Sequence, residues 1–296
     1  MRVTNRMMTD TISATLNKQS ERLMNLQETA STGKTILRPS DDPLVSGNIL
    51  EYREDILATD QFLTNITHAE TRLKITEDVL ETLNSFIETL WGYAVDPSSQ
   101  SPLDLSTAAD HIRDLREQVR QLANSRHGGE YLFAGHLIDE PPFSEDNTYA
   151  GDSGETGVII GKGMEMAINT TGDDLFAVGP DGRVALFDAL DQLEAAYRQD
   201  PFDPSAVTEE TAAVILGAAN RIKEVRAGGA ARLSRLDSAR HFLEAIRPKM
   251  ATILADAEGA DVSQAIVEMK LQETAYETAL QTASRVIQPT LLDFLQ

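Results

Sequence analysis

The sequence predicts a mainly α-helical, elongated chain. Both ends contribute to an antiparallel helical coiled coil or bundle, and a small β-containing domain occupies the middle. Three observations carry this reading. Apolar heptads occur at both ends, a helical pattern runs without Gly or Pro over 48–91, and the intervening sequence turns to short alternating runs broken by Gly, Pro and Asp.

The first helical element lies at the N-terminus. Ile12, Leu16, Leu23, Leu26 and Ala30 follow steps of 4, 7, 3 and 4, with Gln19 the one polar intruder. That spacing draws a single stripe on a helix and asks for a partner helix. Gly33 stands where a C-cap is expected. Arg38-Pro-Ser-Asp-Asp-Pro43 then reads as a break followed by a new N-cap and an early Pro.

The second element is longer. Ile49, Tyr52, Ile56, Leu63, Ile66, Leu73, Leu80 and Ile87 step by 3, 4, 7, 3, 7, 7 and 7. A helix over 48–91 would be roughly 65 Å long at about 1.5 Å per residue. A compact chain of this length would be only about 50 Å across, hence the expected elongation.

The C-terminal third mirrors the first. Ala239, Leu243, Ile246, Met250, Ile253, Ala257 and Ala260 alternate steps of 4 and 3, and the register jumps at Glu258-Gly-Ala-Asp261. A fresh stripe follows at Val262, Ile266, Met269, Tyr276, Leu280, Ala283 and Ile287, with Glu273 in the remaining slot. Asp261 with Gln264 resembles a capping box. Pro248 sits inside this pattern and predicts a kink. Two broken helical arms at opposite ends of one chain most simply pair antiparallel.

Between them, 105–126 reads as a helix through Ala108, Ile112, Leu115, Val119 and Leu122. Val158-Ile-Ile160, a Gly161-Lys-Gly163 turn and alternating Met164, Met166 and Ile168 predict a hairpin. Helices are expected again over 184–199 and 207–227. The breaks divide the chain into terminal helical arms (1–42 plus 259–296), a long-helix bundle domain (43–130 plus 205–258) and an acidic β-containing middle domain (131–204).

Composition excludes several function classes. The 296 residues carry 26 Lys plus Arg against 47 Asp plus Glu, a net charge of −21, which argues against a nucleic-acid binder. The excess is local, since 135–210 holds 17 acidic and 3 basic residues. Cysteine is absent, so disulfides, thiolate metal sites and Cys nucleophiles are ruled out. No apolar run is long enough to span a membrane, and Met1-Arg-Val-Thr-Asn-Arg6 does not read as a secretory signal.

Enzyme motifs fail on inspection. Gly33-Lys-Thr35 lacks the upstream Gly of a phosphate loop, position 28 being Glu28, and follows a helix instead of a strand. Gly151, Gly154 and Gly157 have the wrong spacing for a dinucleotide fingerprint. His68, His111, His127, His136 and His241 form no ligand pair with a carboxylate helper, and Asp173-Asp174 reads as a solvated loop. No catalytic residue, metal site or cofactor is expected.

Ala30-Ser-Thr-Gly-Lys-Thr-Ile-Leu-Arg-Pro-Ser-Asp-Asp-Pro43 resembles the N-terminal signature shared by bacterial flagellins and their junction relatives. Tyr131-Leu-Phe-Ala-Gly135 running into Pro141-Pro-Phe143, Thr171-Gly-Asp-Asp-Leu-Phe176, and the ending Ile287-Gln-Pro-Thr-Leu-Leu-Asp-Phe-Leu295 resemble the hook-associated protein 3 family. The resemblance implies a flagellin-like fold and a structural subunit of the hook–filament junction in the extracellular flagellum. It would be exported through the flagellar channel without a cleaved signal peptide, with the help of an export chaperone and the export apparatus. It would form an annular layer with itself on hook-associated protein 1 and receive flagellin. The same resemblance makes the terminal arms assembly elements and the middle domain the outer one. A flagellin filament subunit and a secreted membrane-active translocator are the alternatives. Against the second, the first arm has no basic face with aromatic anchors.

The predicted intersubunit or arm-pairing seam consists of Ile12, Leu16, Leu23, Leu26, Ile266, Met269, Leu280, Ile287, Leu291, Leu292, Phe294 and Leu295. The last four crowd large apolar groups behind Pro289 too densely for one stripe of an isolated helix.

Overall fold

The computed structural model describes residues 5–96 and 105–287. Among the described residues, seven α-helices and two short hairpins follow in the order α1 (Asn5–Thr32), α2 (Pro43–Val95), α3 (Leu105–Ala123), β1 (Arg126–His127), β2 (Glu130–Tyr131), β3 (Gly157–Gly161), β4 (Met164–Ala167), α4 (Gly172–Phe176), α5 (Ala185–Tyr197), α6 (Glu209–Glu258) and α7 (Val262–Ile287). The fold is mainly α with two small antiparallel sheets, as the periodicities predict. The described chain forms two compact units. One contains the residues up to Ala58 and those from Ile246 onward, and the other is Thr59–Ala245.

The helix boundaries have local causes. Asp42 caps α2, its Oδ1 accepting from the amides of Leu44 and Val45, each at 3.1 Å, with Pro43 as the first helical residue. Gly33 ends α1 at φ +69°, a left-handed conformation that a side chain disfavours. Asp261 opens α7 by accepting from the Gln264 amide at 3.0 Å. The capping box is only half built, because the Gln264 side chain turns forward to Glu268.

One expectation changes. The helix expected over 207–227 and the stripe beginning at Ala239 belong to one 50-residue helix, α6, which passes through Gly228-Gly229. Pro248 also lies inside α6, which continues beyond it to Glu258. Its ring faces solvent, and its carbonyl accepts from Thr252 Oγ1 at 3.0 Å.

The second unit has two apolar centres. In the smaller, Ile66, Ala69 and Leu73 of α2 meet Leu236 and Leu243 of α6. The β3–β4 hairpin covers them with Ile160, Met166 and Ile168, and its Gly161–Gly163 turn forms as predicted. Ion pairs Glu70–Arg240 and Glu77–Arg226, at 3.0 and 2.8 Å, run α2 and α6 antiparallel along this stretch. In the larger centre, α2 from Leu80 to Ala94 packs with α3, α5 and Ile215, Ala218 and Ile222 of α6.

The segment between the hairpins enters that same centre. Phe143 packs against Tyr149 at a tilt and edge-to-face against Phe176 and Phe187, at ring separations of 5.2, 5.3 and 6.0 Å. Asn124 at the end of α3 pairs with the Phe143 backbone in both directions, at 2.8 and 2.9 Å. The two stretches that carry the family resemblance in this region meet directly. The Gly172 amide donates to the Phe133 carbonyl at 2.9 Å. The Tyr149 hydroxyl lies 2.9 Å from that carbonyl and accepts from the Gly172 amide at 3.1 Å. Burial pushes the Tyr149 phenol up to about 12. Gly135 has φ +71°, and a Cβ there would stand 2.4 Å from the Asp152 carbonyl oxygen, so the closing Gly of Tyr131–Gly135 is a steric requirement.

Candidate assembly surface

The first unit is organised around the α1–α7 pair. On α1, Ile12, Leu16, Gln19, Leu23, Leu26 and Ala30 are half-buried at steps of 4, 3, 4, 3 and 4. On α7 the covered line is Ala265, Met269, Gln272, Tyr276, Ala279 and Ala283, with the same alternation. Gln272 Nε2 donates to the Gln19 carbonyl at 3.3 Å, and Ala260 N–H donates to the Gly33 carbonyl at 2.9 Å. The two helices therefore run antiparallel.

Of the sequence-predicted seam, Ile12, Leu16, Leu23, Leu26 and Met269 come together in this pair. Ile266 and Leu280 do not, remaining 46% and 43% exposed. Ile287 ends α7 with its side chain outside the described residues, and Leu291, Leu292, Phe294 and Leu295 lie outside them altogether. The sequence-predicted stripe on α7 contained Met269, Tyr276 and Ala283 of the inner line but missed Ala265, Gln272 and Ala279. The regular spacing from Ala265 to Ala283 was the available signal, since small residues let two helices approach closely.

The outward side of the pair is apolar but chemically quiet. Ile266, Val267, Leu271 and Leu280 face solvent. Beside them runs an open groove of about 660 Å³, lined by Thr11, Ile12, Thr15 and Leu16 of α1 and by Leu271, Thr274, Ala275, Thr278, Ala279, Thr282 and Ala283 of α7. Each threonine hydroxyl donates to the carbonyl four residues earlier, at 2.8 to 3.0 Å. Covering this groove would leave no hydroxyl without a partner, so the usual cost of burying one is avoided.

Where the helices break, the two connections pair. Lys34 and Gly259 form an antiparallel bridge, and the Thr35 amide donates to the Glu258 carbonyl at 2.8 Å. Thr35 Oγ1 donates to the Gly259 carbonyl at 2.9 Å. The Glu258 carboxylate, only 12% exposed, accepts from Lys34 Nζ and Arg53 Nε, each at 2.8 Å. Burial pushes this carboxyl up, but the hydrogen bonds from Lys34 and Arg53 outweigh burial and hold it below the usual range. Asp41 closes the following turn by accepting from the amides of Leu37 and Arg38. The Gly33-Lys34-Thr35 run, which superficially suggests a phosphate loop, is thus a helix end and a β bridge.

Three of the five histidines are engaged locally, His241 through the Asp237 carbonyl at 2.8 Å. His111 Nδ1 lies 2.8 Å from the Tyr93 hydroxyl, and His136 Nε2 lies 3.1 Å from the Glu155 carbonyl. Among the described residues no group of three or more His, Cys, Asp or Glu is placed to hold a metal ion. No described helix is long and apolar enough to cross a membrane.

Comparison with known proteins agrees with this architecture. The family profile of the bacterial flagellin N-terminal helical region matches residues 3–137. The flagellar hook-associated protein 3 of Escherichia coli (strain K12) is 32% identical over 219 residues, covering 69% of this chain and 68% of that protein. Among solved structures, Xanthomonas campestris FlgL superposes with a TM-score of 0.60 at 19% identity, over 69% of this chain and 99% of that one. The flagellar junction protein FlgL from Legionella pneumophila does so with a TM-score of 0.53 at 16% identity, over 64% and 99%.

Proposed function

Because the chain belongs to the flagellar hook-associated protein 3 family, we propose that it is a structural subunit of the junction between the flagellar hook and filament. In this reading it forms an annular layer with copies of itself on hook-associated protein 1 and offers flagellin the surface on which the filament starts. It reaches that position through the channel of the growing flagellum, delivered by an export chaperone and the export apparatus. Its work is assembly, without catalysis or a cofactor.

The observation that carries the proposal is the outward side of the α1–α7 pair, where Ile266 and Leu280 stay exposed beside a groove whose hydroxyls are already satisfied. An isolated molecule gains nothing from that arrangement, whereas a packed layer would bury it. Ile12, Leu16, Leu23, Leu26 and Met269 then pair the arms within one subunit. Ile266, Leu280, Ile287, Leu291, Leu292, Phe294 and Leu295 form the seam to the next. The domain division proposed for the assembled subunit has arms at 1–42 plus 259–296, a bundle at 43–130 plus 205–258, and the acidic 131–204 segment outermost, where its charge stays hydrated; in the fold itself 131–204 shares the larger apolar centre with the bundle helices.

Deleting the gene tests the function. The expected result is normal hooks, no filaments and flagellin shed into the medium. Filaments of normal length on the deletion strain would overturn the assignment.

A further inference from the structure

The Gly33–Thr35 connection and the Glu258–Ala260 connection are two helix breaks at one place. Backbone hydrogen bonds cross between them in both directions, from Thr35 to Glu258 and from Ala260 to Gly33. A bridge of this size is weak by itself, since it involves a few residues with exposed edges. What distinguishes it is the side chain of Glu258. One carboxylate reaches Lys34 in the first connection and Arg53, about three turns into α2, while its own backbone sits at the end of α6. It is nearly buried, whereas both cations are close to half exposed. A carboxylate in that position is tolerated only while its partners stay in place.

We propose that Glu258 is the lock of a single joint. It ties the α1–α2 and α6–α7 connections together and to the first turns of α2, so that the α1–α7 pair is held at one setting within its unit instead of swinging about two independent breaks. With the lock intact, the two connections open only together. With the carboxylate neutralised, Lys34 and Arg53 lose the negative charge they share, and the remaining bridge opens locally. The inference concerns the chain's own mechanics and stands or falls apart from the junction assignment.

The chain contains no cysteine, so labels can be placed at will. Spin labels on Met24→Cys in α1 and Leu57→Cys in α2, both solvent-exposed positions, report the joint in the full-length protein. The expected result is one narrow distance distribution in the parent, broadened in Glu258→Gln and in Lys34→Gln. Amide exchange at Thr35 and Ala260 should speed up by about tenfold in Glu258→Gln, with the amides of the α2 stretch around Ile66 unchanged. Equal distributions in parent and variants, whether narrow or broad, overturn the proposal. Should Glu258→Gln fail to fold, Lys34→Gln keeps the carboxylate and decides the question alone.

Discussion

Gln272 Nε2 donates to the main-chain carbonyl of Gln19 at 3.3 Å, which sets the polar residues of the α1 and α7 stripes at the same level of an otherwise apolar seam. The pairing is incomplete. Gln19 Oε1 is buried and accepts no hydrogen bond. A polar layer of this kind specifies register at a cost in stability.

Replacing Gln19 by leucine should therefore stabilise the α1–α7 pair by about 1 kcal/mol, through loss of the unsatisfied amide oxygen. Thermal melting followed by the helical circular dichroism signal measures it. A destabilised Gln19→Leu chain would mean that the amide contributes more than it costs.

The Glu258 carboxyl is held below its ordinary range in the folded chain, so its contribution has a definite sign with pH. It is fully present above the unfolded value, near 4.5, and is lost as pH falls through the lowered folded value. The melting-temperature difference between parent and Glu258→Gln should accordingly be widest near neutrality and shrink in acid. A difference that stays constant across that range would contradict the assignment of the ion pairs.

Ile266→Asp and Leu280→Asp place charges on the exposed side of α7. Neither residue is part of the inner line, so the monomer's stability should change by no more than about 0.5 kcal/mol. Hook capping should fail, read as lost motility and flagellin in the medium. A fully motile double variant would remove this face from the intersubunit seam.

A fragment of residues 43–260 lacks α1 and α7 but keeps both apolar centres of the second unit, which lie wholly within Thr59–Ala245. It should remain helical and melt cooperatively, yet support no filament growth. An unfolded fragment would show that the arms stabilise the rest of the chain.

Phe133 and Phe187 are fully buried in the larger centre. Phe187→Ala should cost about 3–5 kcal/mol and lower the main melting transition, while the arm pair is affected little. The same argument makes excision of 135–210 destructive, because Phe143, Leu175, Phe187 and Leu190 are part of that centre. A retained cooperative transition after excision would show that α2, α3 and α6 suffice.

By itself the sequence determined α1, α2, α3, α5 and α7, the breaks around Gly33 and Glu258, and the β3–β4 hairpin. Those features rest on local physics, namely the spacing of Leu, Ile and Val, the cap at Asp42, the left-handed Gly33 and the Gly161–Gly163 turn. It also exposed the family resemblance, because its motifs are short and contiguous. Tertiary structure decided which side of α7 faces α1. Ile266 and Leu280 carry more apolar surface than Ala265 and Ala279, yet the alanines lie on the covered side, because close helix approach selects for small side chains. Only the folded chain could bring Glu258 to Lys34 and Arg53 or set Gly172 against Phe133, since such contacts join residues distant in sequence and leave no periodic trace. Continuation of α6 through Gly228-Gly229 and Pro248 was likewise a tertiary outcome. Local propensity disfavours all three positions, and the packing of Ile222, Leu236 and Leu243 against α2 and its neighbours outweighs it over much of the helix.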